Sequence, residues 1–209
     1  MNFEDAVNEA VEQAEERDFK ESIDLIINFT GLDLSDPDNR FNEDFKLPFQ
    51  ADEDVKVAVI GDTLAKNAGN ADLEITEDEL EEEYFDNPNN AKDLADGYSF
   101  LIAEAPLMPK IGSQLGQVFG PRNMMPDPMP PGSDPTDEIE DLRNTVTLRL
   151  REDPLMQIKV GNEEQDLEEA ARNASSIYDF VEGRLPQGQN NVKSVLIKTT
   201  MGPTVEVNN

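Results

Sequence analysis

The chain has few of the side chains on which enzymatic chemistry usually depends. Its 209 residues include no Cys, no His and no Trp, which excludes thiol nucleophiles, Ser-His-Asp triads and most transition-metal sites. Catalysis would have to rest on carboxylates, Lys, Arg, Tyr or a bound Mg²⁺. Asp62 and Glu104 follow predicted strands, but the turn at Gly61 lacks the glycine spacing of a phosphate-binding loop. We therefore predict no enzymatic activity and no cofactor. The alternative is a magnesium-dependent small-ligand or phosphoryl-transfer enzyme of α/β type.

Two acidic stretches have the composition of a cation site. Residues 33–40 lack the glycine and the terminal glutamate of a calcium-binding loop. Residues 77–83 are typical of the solvated face of a helix, the alternative being a divalent-ion or protein-binding module. We predict no metal site in either stretch.

The net charge is the strongest feature of the composition. The chain has 46 acidic and 17 basic residues, a formal net charge of −29. Disorder fits poorly, because apolar residues recur with periods of two and of about 3.6. At molar salt the Debye length falls to about 3 Å, so that surface carboxylates no longer repel one another strongly. We interpret the acidity as adaptation of an archaeal, halophilic protein to molar salt in the cytoplasm.

The sequence gives no sign of a membrane or of secretion. No run approaches the roughly 18 apolar residues of a membrane span. Residues 1–17 are acidic and helix-patterned, unlike a signal peptide. We expect a cytoplasmic protein without a membrane partner.

Two windows are free of acidic residues, although about one residue in five of the chain is acidic. They are residues 105–126 and 183–205. Burial explains the apolar part of the second window, but not its polar loop residues Gln187, Gln189, Asn190 and Asn191. The depletion predicts that at least one window belongs to a surface that binds nucleic acid.

The middle of the chain is patterned differently from its ends. In residues 54–150 short apolar strands alternate with helices, which is typical of a parallel sheet covered on both faces. The flanking segments predict a helix at 2–17, strands at 22–29, 156–160 and 193–207, and a long helix at 166–184. The predicted fold is an α+β split domain formed by both chain ends, 1–53 and 151–209. A Rossmann-like α/β domain with a parallel sheet is inserted at 54–150.

Two motifs are more specific than these patterns. Residues 120–128 read GPRNMMPDP and follow MPKIGSQLG, while residues 194–203 read SVLIKTTMGP. Together with FKESID at 19–24, they resemble the hallmark segments of the ribosomal protein L-one family, most closely its archaeal type. The matches keep the family's order and span nearly the whole chain.

The resemblance implies a function as well as the split two-domain fold. It implies a constituent of the large, 50S-type ribosomal subunit that binds 23S-type ribosomal RNA at the mobile stalk near the exit site. It further implies that the protein assists release of deacylated exit-site tRNA and represses translation of its own mRNA.

The resemblance also implies particular RNA contacts. Carried over to this sequence, they fall on Phe19, Ser22, Asp24, Gln157, Lys159, Ser194, Thr200, Met201 and Gly202. The hydroxyl groups can bond ribose or phosphate, Met201 can lie against a sugar or base, and Gly202 lets two backbones approach.

Several roles stay open at the level of sequence. Phe19 either stacks on a base or supports the site from the core, and Asp24 either accepts from the RNA or orients a neighbour. The 120–128 motif is a rigid loop, an RNA or tRNA contact or a part of domain closure, with Arg122 as a secondary RNA contact. Because Lys and Arg are scarce, we expect the affinity for RNA to fall only slightly as salt rises above about 1 M KCl.

Overall fold

A computed structural model describes residues 2–15 and 17–208 of the chain. The chain forms two compact units, which we call the split unit and the inserted unit. The split unit combines the residues up to Glu53 with those from Asn144 onward, and the inserted unit comprises Asp54–Arg143.

The split unit is built from long strands and two longer helices. Numbered along the whole chain, its helices and strands are α1 (Phe3–Glu12), β1 (Ser22–Phe29), β2 (Phe41–Lys46), β7 (Thr145–Leu150), β8 (Leu155–Asn162), α7 (Leu167–Arg184), β9 (Val192–Thr199) and β10 (Val205–Glu206). Short 3₁₀ helices lie at Pro37–Asn39 and Gly188–Asn191. The main sheet is antiparallel in the order β10-β9-β1-β8.

One face of this sheet carries the core. Along β1 every second residue is buried, beginning with Ile23, so the other residues lie on the opposite face. Helix α1, whose Asn2 side chain caps its first turn, and helix α7, capped by Asp166, both contribute buried residues to the same core. The described helices of this unit therefore leave the second face of the sheet uncovered.

The remaining strands of the split unit correct the predicted domain boundary. From the sequence pattern, residues 145–150 were expected to belong to the inserted domain. In the structure β7 pairs antiparallel with β2, and Leu148 and Leu150 are buried in the core of the split unit. The alternating pattern predicts a strand but does not specify which sheet it joins. The inserted unit therefore ends at Arg143 rather than at residue 150.

The inserted unit has the predicted α/β architecture. It consists of β3 (Val57–Ile60), α2 (Asp62–Asn67), β4 (Leu73–Ile75), α3 (Glu77–Glu79) with a π-helical turn at Leu80–Phe85, α4 (Pro88–Gly97), β5 (Phe100–Glu104), a 3₁₀ turn at Ala105–Leu107, α5 (Met108–Arg122), β6 (Asp127–Met129) and α6 (Thr136–Arg143). Its strands are parallel in the order β4-β3-β5-β6. Alternate residues of β3 belong to two different apolar clusters, so helices cover both faces. The predicted fold class is confirmed.

The fourth parallel strand was not predicted. Strand β6 starts inside the 120–128 motif, which therefore forms the end of α5 and the beginning of an edge strand as well as a loop. Pro126 and Pro128 hide this strand in the sequence, because proline is poorly compatible with a sheet except at an edge. Among the described helices none is long and apolar enough to span a bilayer.

Candidate nucleic-acid interface

The uncovered face of the main sheet is the candidate site, and we call it the open face. We define it by ten outward-facing residues: Ser22, Asp24, Ile26 and Asn28 on β1, Leu155, Gln157 and Lys159 on β8, and Ser194, Leu196 and Lys198 on β9. The register aligns them in rows across the strands, for example Leu155, Asn28 and Ser194. From Ser22 to Asn28 the rows extend over roughly 20 Å.

The open face lacks the acidity of the rest of the chain. Asp24 is its single acidic residue and lies opposite Lys159 on one side and Lys198 on the other. On the edge strand β10, exposed Glu206 lies opposite Leu196 and adds a second carboxylate. With Asp52, which pairs with Lys159, three carboxylates and two ammonium groups leave this surface with a net charge of −1, whereas the chain carries −29.

One end of the open face is organised by paired hydroxyl groups. The Thr200 N–H donates to the Ser22 carbonyl oxygen at 3.0 Å. The Ser22 N–H donates in return to Thr200 Oγ1 at 3.1 Å, and the two hydroxyl oxygens lie 2.9 Å apart. The two hydroxyl groups are thus held side by side by residues that are 178 positions apart in sequence.

Two large apolar side chains near this end are exposed to solvent. Met201 is 59% exposed and Phe19 is 52% exposed. Since Phe19 is not part of the core, the interpretation that it only supports the site from inside is wrong. Exposed apolar groups beside hydroxyl groups suit sugars and bases, which have both apolar faces and polar edges.

Amide groups occupy the middle and the far end of the face. Gln157 Nε2 donates to Asp24 Oδ2 at 3.0 Å, so Asp24 does orient a neighbour. Asn28 Nδ2 donates to Ser194 Oγ at 2.9 Å. Lys159 Nζ lies 2.8 Å from Asp52 Oδ2, which makes this lysine part of an ion pair.

The structure shows a role of Gly202 within the turn, and its predicted close approach to RNA stays a prediction. Its N–H donates to Thr199 Oγ1 at 3.1 Å, and a Cβ at this position would lie 2.3 Å from that oxygen. Any larger residue would therefore displace the Thr199 hydroxyl group.

The open face includes residues that were not predicted from the sequence. Asn28 and Lys198 face the same side as the predicted contacts. Their signal was present, because both continue the period of two that starts at Ser22 on β1 and at Ser194 on β9.

Arg122, the predicted secondary contact, belongs to the inserted unit. Its Nε lies 2.9 Å from Asp96 Oδ1, and its Nη1 donates to the Val118 carbonyl oxygen at 3.3 Å. The guanidinium group is therefore partly engaged within this unit, and its side chain is 34% exposed.

The carboxylates that an enzyme would need have structural roles in the inserted unit. Glu104 Oε1 accepts from the Thr63 N–H and the Thr63 hydroxyl, each at 2.7 Å, and from the Leu64 N–H at 3.1 Å. Burial alone would raise the pKa of Glu104, but these hydrogen bonds outweigh it and hold the pKa below its ordinary value. The carboxylate thus fills the position after a parallel strand where a phosphate would bind.

The other acidic residues considered for catalysis or metal binding also form hydrogen bonds or ion pairs within the chain. Asp62 Oδ1 accepts from the Glu77 N–H at 3.0 Å. Lys110 Nζ lies 2.6 Å from a Glu77 oxygen and 2.8 Å from a Glu81 oxygen. Within the described part of the chain, no group of three or more Asp or Glu residues is placed to hold a metal ion.

Residues 10–203 match the model of the Ribosomal protein L1p/L10e family, and the chain belongs to this family. The family resemblance predicted from the motifs is confirmed.

The sequences of individual relatives are similar to this chain over almost its full length. The chain is 43% identical to the large ribosomal subunit protein uL1 of Methanothermobacter thermautotrophicus over 207 residues, which is 97% of each protein. It is 44% identical to the uL1 protein of Methanocorpusculum labreanum, covering 97% of this chain and 95% of that one. It is 40% identical to the uL1 protein of Haloquadratum walsbyi, covering 97% and 96%. These relatives are named as ribosomal proteins, in agreement with the prediction of a non-enzymatic protein.

Proposed function

We propose that the chain is a structural constituent of the large ribosomal subunit and binds large-subunit ribosomal RNA through the open face and residues 199–202. The observation that carries this proposal is the charge of the open face with its ion-pair partner Asp52, which is close to zero in a chain of −29. A surface that approaches a polyanion must not carry a large excess of negative charge, even where molar salt screens long-range repulsion. The acid-free window 183–205 contributes β9 and this turn.

The contacts follow from the chemistry of each part of the face. Ser22 and Thr200 offer hydroxyl groups to ribose or phosphate, and Met201 and Phe19 offer apolar surface to sugars and bases. The amide and hydroxyl groups of the far end, with Lys159 and Lys198, complete the surface. Neutral hydrogen bonds and packing therefore contribute more than ion pairs.

Finer roles rest on family membership and the resemblance of the motifs. We extend the proposal to the mobile stalk near the exit site, to release of deacylated tRNA and to repression of the protein's own mRNA. A ribosomal protein of this kind works in the cytoplasm, here one with molar salt. Arg122 in the inserted unit is proposed as a secondary RNA contact.

Binding of a stalk RNA fragment in 2–3 M KCl tests the proposal. We expect Thr200→Ala and Met201→Ala each to weaken binding by about tenfold, or roughly 1.4 kcal/mol, the order of one hydrogen bond or one base-stacking contact. Thr200→Ser is the matched control, since it keeps the hydroxyl group that Ser22 contacts. The absence of specific binding by folded wild-type protein would overturn the proposal.

Repression of its own message is tested by competition. The leader of the protein's mRNA should displace the stalk fragment, and Met201→Ala should weaken both complexes by a similar factor. If the leader binds but Met201→Ala leaves its affinity unchanged, the two RNAs use different sites and this part of the proposal fails.

A further inference from the structure

A buried carboxylate lies beneath the turn that follows β9. The Glu21 side chain is only 1% exposed. Its Oε2 accepts from the Met201 N–H at 2.7 Å, and its Oε1 lies 3.1 Å from Arg17 Nε. Fully buried glutamates are rare unless they are paired, because removal of a carboxylate from water is costly.

Two buried side chains hold the backbone of the turn that follows Thr200. Glu21 accepts directly from the Met201 N–H. Fully buried Thr199 accepts through its Oγ1 from the Gly202 N–H at 3.1 Å. The backbone of residues 201 and 202 is therefore fixed from inside by Glu21 and Thr199.

The side chains of the same turn point outward. Met201 is 59% exposed, although its N–H is bound to the buried Glu21. Thr200 is exposed as well and contacts Ser22. Glu21 thus holds the backbone from inside while the side chains remain available outside.

We propose that Glu21 is a positioning residue for RNA binding: it fixes residues 199–202 in the conformation that presents Thr200 and Met201 to RNA, without touching RNA itself. This inference rests on the proposed function. A turn that is ordered before binding does not lose its conformational entropy in the complex, and the affinity is higher for that reason.

The test combines RNA affinity with a spectroscopic signature of the turn. Stalk RNA binding in 2–3 M KCl is compared for wild type, Glu21→Gln and Glu21→Ala, and the Met201 amide resonance is followed by NMR without RNA. Glu163→Gln is the matched control, because Glu163 accepts from the Glu21 N–H at 2.9 Å but has no bond to the turn. Glu21→Gln nearly keeps the side-chain volume, so it carries the test if Glu21→Ala does not fold.

We expect the Met201 amide resonance to shift upfield in both Glu21 variants, since a carboxylate is a stronger acceptor than an amide or water. Affinity should fall by about tenfold for Glu21→Gln and by up to about a hundredfold for Glu21→Ala, as preorganisation is lost. Glu163→Gln should change neither quantity.

Unchanged affinity of folded Glu21 variants would overturn this inference, whatever happens to the resonance. If Met201→Ala weakens binding at the same time, the proposed function stands and only the role of Glu21 fails. If folded wild type does not bind the RNA at all, the proposed function fails and the RNA role of Glu21 fails with it.

Discussion

Binding of RNA by this chain should depend only weakly on salt. Lys159 and Lys198 are the two basic residues of the open face, and Lys159 already forms an ion pair with Asp52. The number of phosphates neutralised through this face is therefore at most two. The perturbation that tests this count is an increase of KCl from 1 M to 3 M.

The number of phosphates neutralised determines how strongly salt weakens RNA binding. The slope of log affinity against log salt is about −0.7 to −0.9 per phosphate neutralised, so two phosphates give a five- to sevenfold loss when salt rises about threefold. Six phosphates would give a loss of about a hundredfold or more over the same range. These two outcomes are easily distinguished.

Titration of a fluorescent stalk RNA fragment at four or more KCl concentrations measures the slope. Lys198→Gln should flatten it by the share of one phosphate, about 0.7 to 0.9. As a control, Lys92→Gln, an exposed lysine of α4 in the inserted unit, should leave the slope unchanged. A steep wild-type slope would refute the conclusion that neutral contacts dominate.

Three further predictions concern the fold. Asn173 is fully buried and exchanges three hydrogen bonds with Phe49 and Val160, so Asn173→Ala should lower the free energy of unfolding by about 3 kcal/mol in a urea titration. The control is Asn8→Ala, since half-buried Asn8 has one hydrogen bond, to the Glu4 carbonyl oxygen; an equal loss there would contradict the role of Asn173. The hydrogen bond from the Met201 N–H first, and then the Thr199 hydroxyl and the charge of Arg17, hold the pKa of Glu21 below its ordinary value against the effect of burial. Glu21 therefore stabilises the fold above about pH 4.5, and this contribution is lost as the pH falls through its folded-state pKa. Glu21→Gln should accordingly flatten the acid limb of the curve of unfolding free energy against pH, and an unchanged limb would count against the assignment. Gly61 has φ of +134°, and a Cβ there would lie 2.3 Å from Glu104 Cγ, so Gly61→Ala should destabilise the inserted unit by about 2 kcal/mol or more. The control Gly112→Ala, at a site open to solvent, should have the opposite sign.

The sequence predicts elements well where one period dominates. The alternation of β1 predicts a strand at 22–29, and the structure has β1 at Ser22–Phe29. The sequence predicts less well which sheet a strand joins, because that depends on the partner strand. The strand at 145–150 joins β2 of the split unit, and no local pattern distinguishes that sheet from the parallel one.

The site was only partly predictable for the same reason. The motifs place Ser22 and Thr200 in one family site, and the structure brings their hydroxyl groups to 2.9 Å. The role of Glu21 was not predicted, because an acidic residue beside a strand is expected to be exposed in so acidic a chain. Its contact with Met201 spans 180 positions and exists only in the folded protein.

A matched pair of added charges tests most directly whether the open face binds RNA. Gln157 on the open face and Gln13 at the end of α1 are both exposed, and each donates its amide to a carboxylate, Asp24 and Glu9 respectively. Gln157→Glu and Gln13→Glu therefore remove the same type of hydrogen bond and add the same charge. We predict that Gln157→Glu weakens stalk RNA binding at least about tenfold in 2–3 M KCl while Gln13→Glu leaves it unchanged. Equal affinities of the two folded variants would contradict the placement of RNA on the open face.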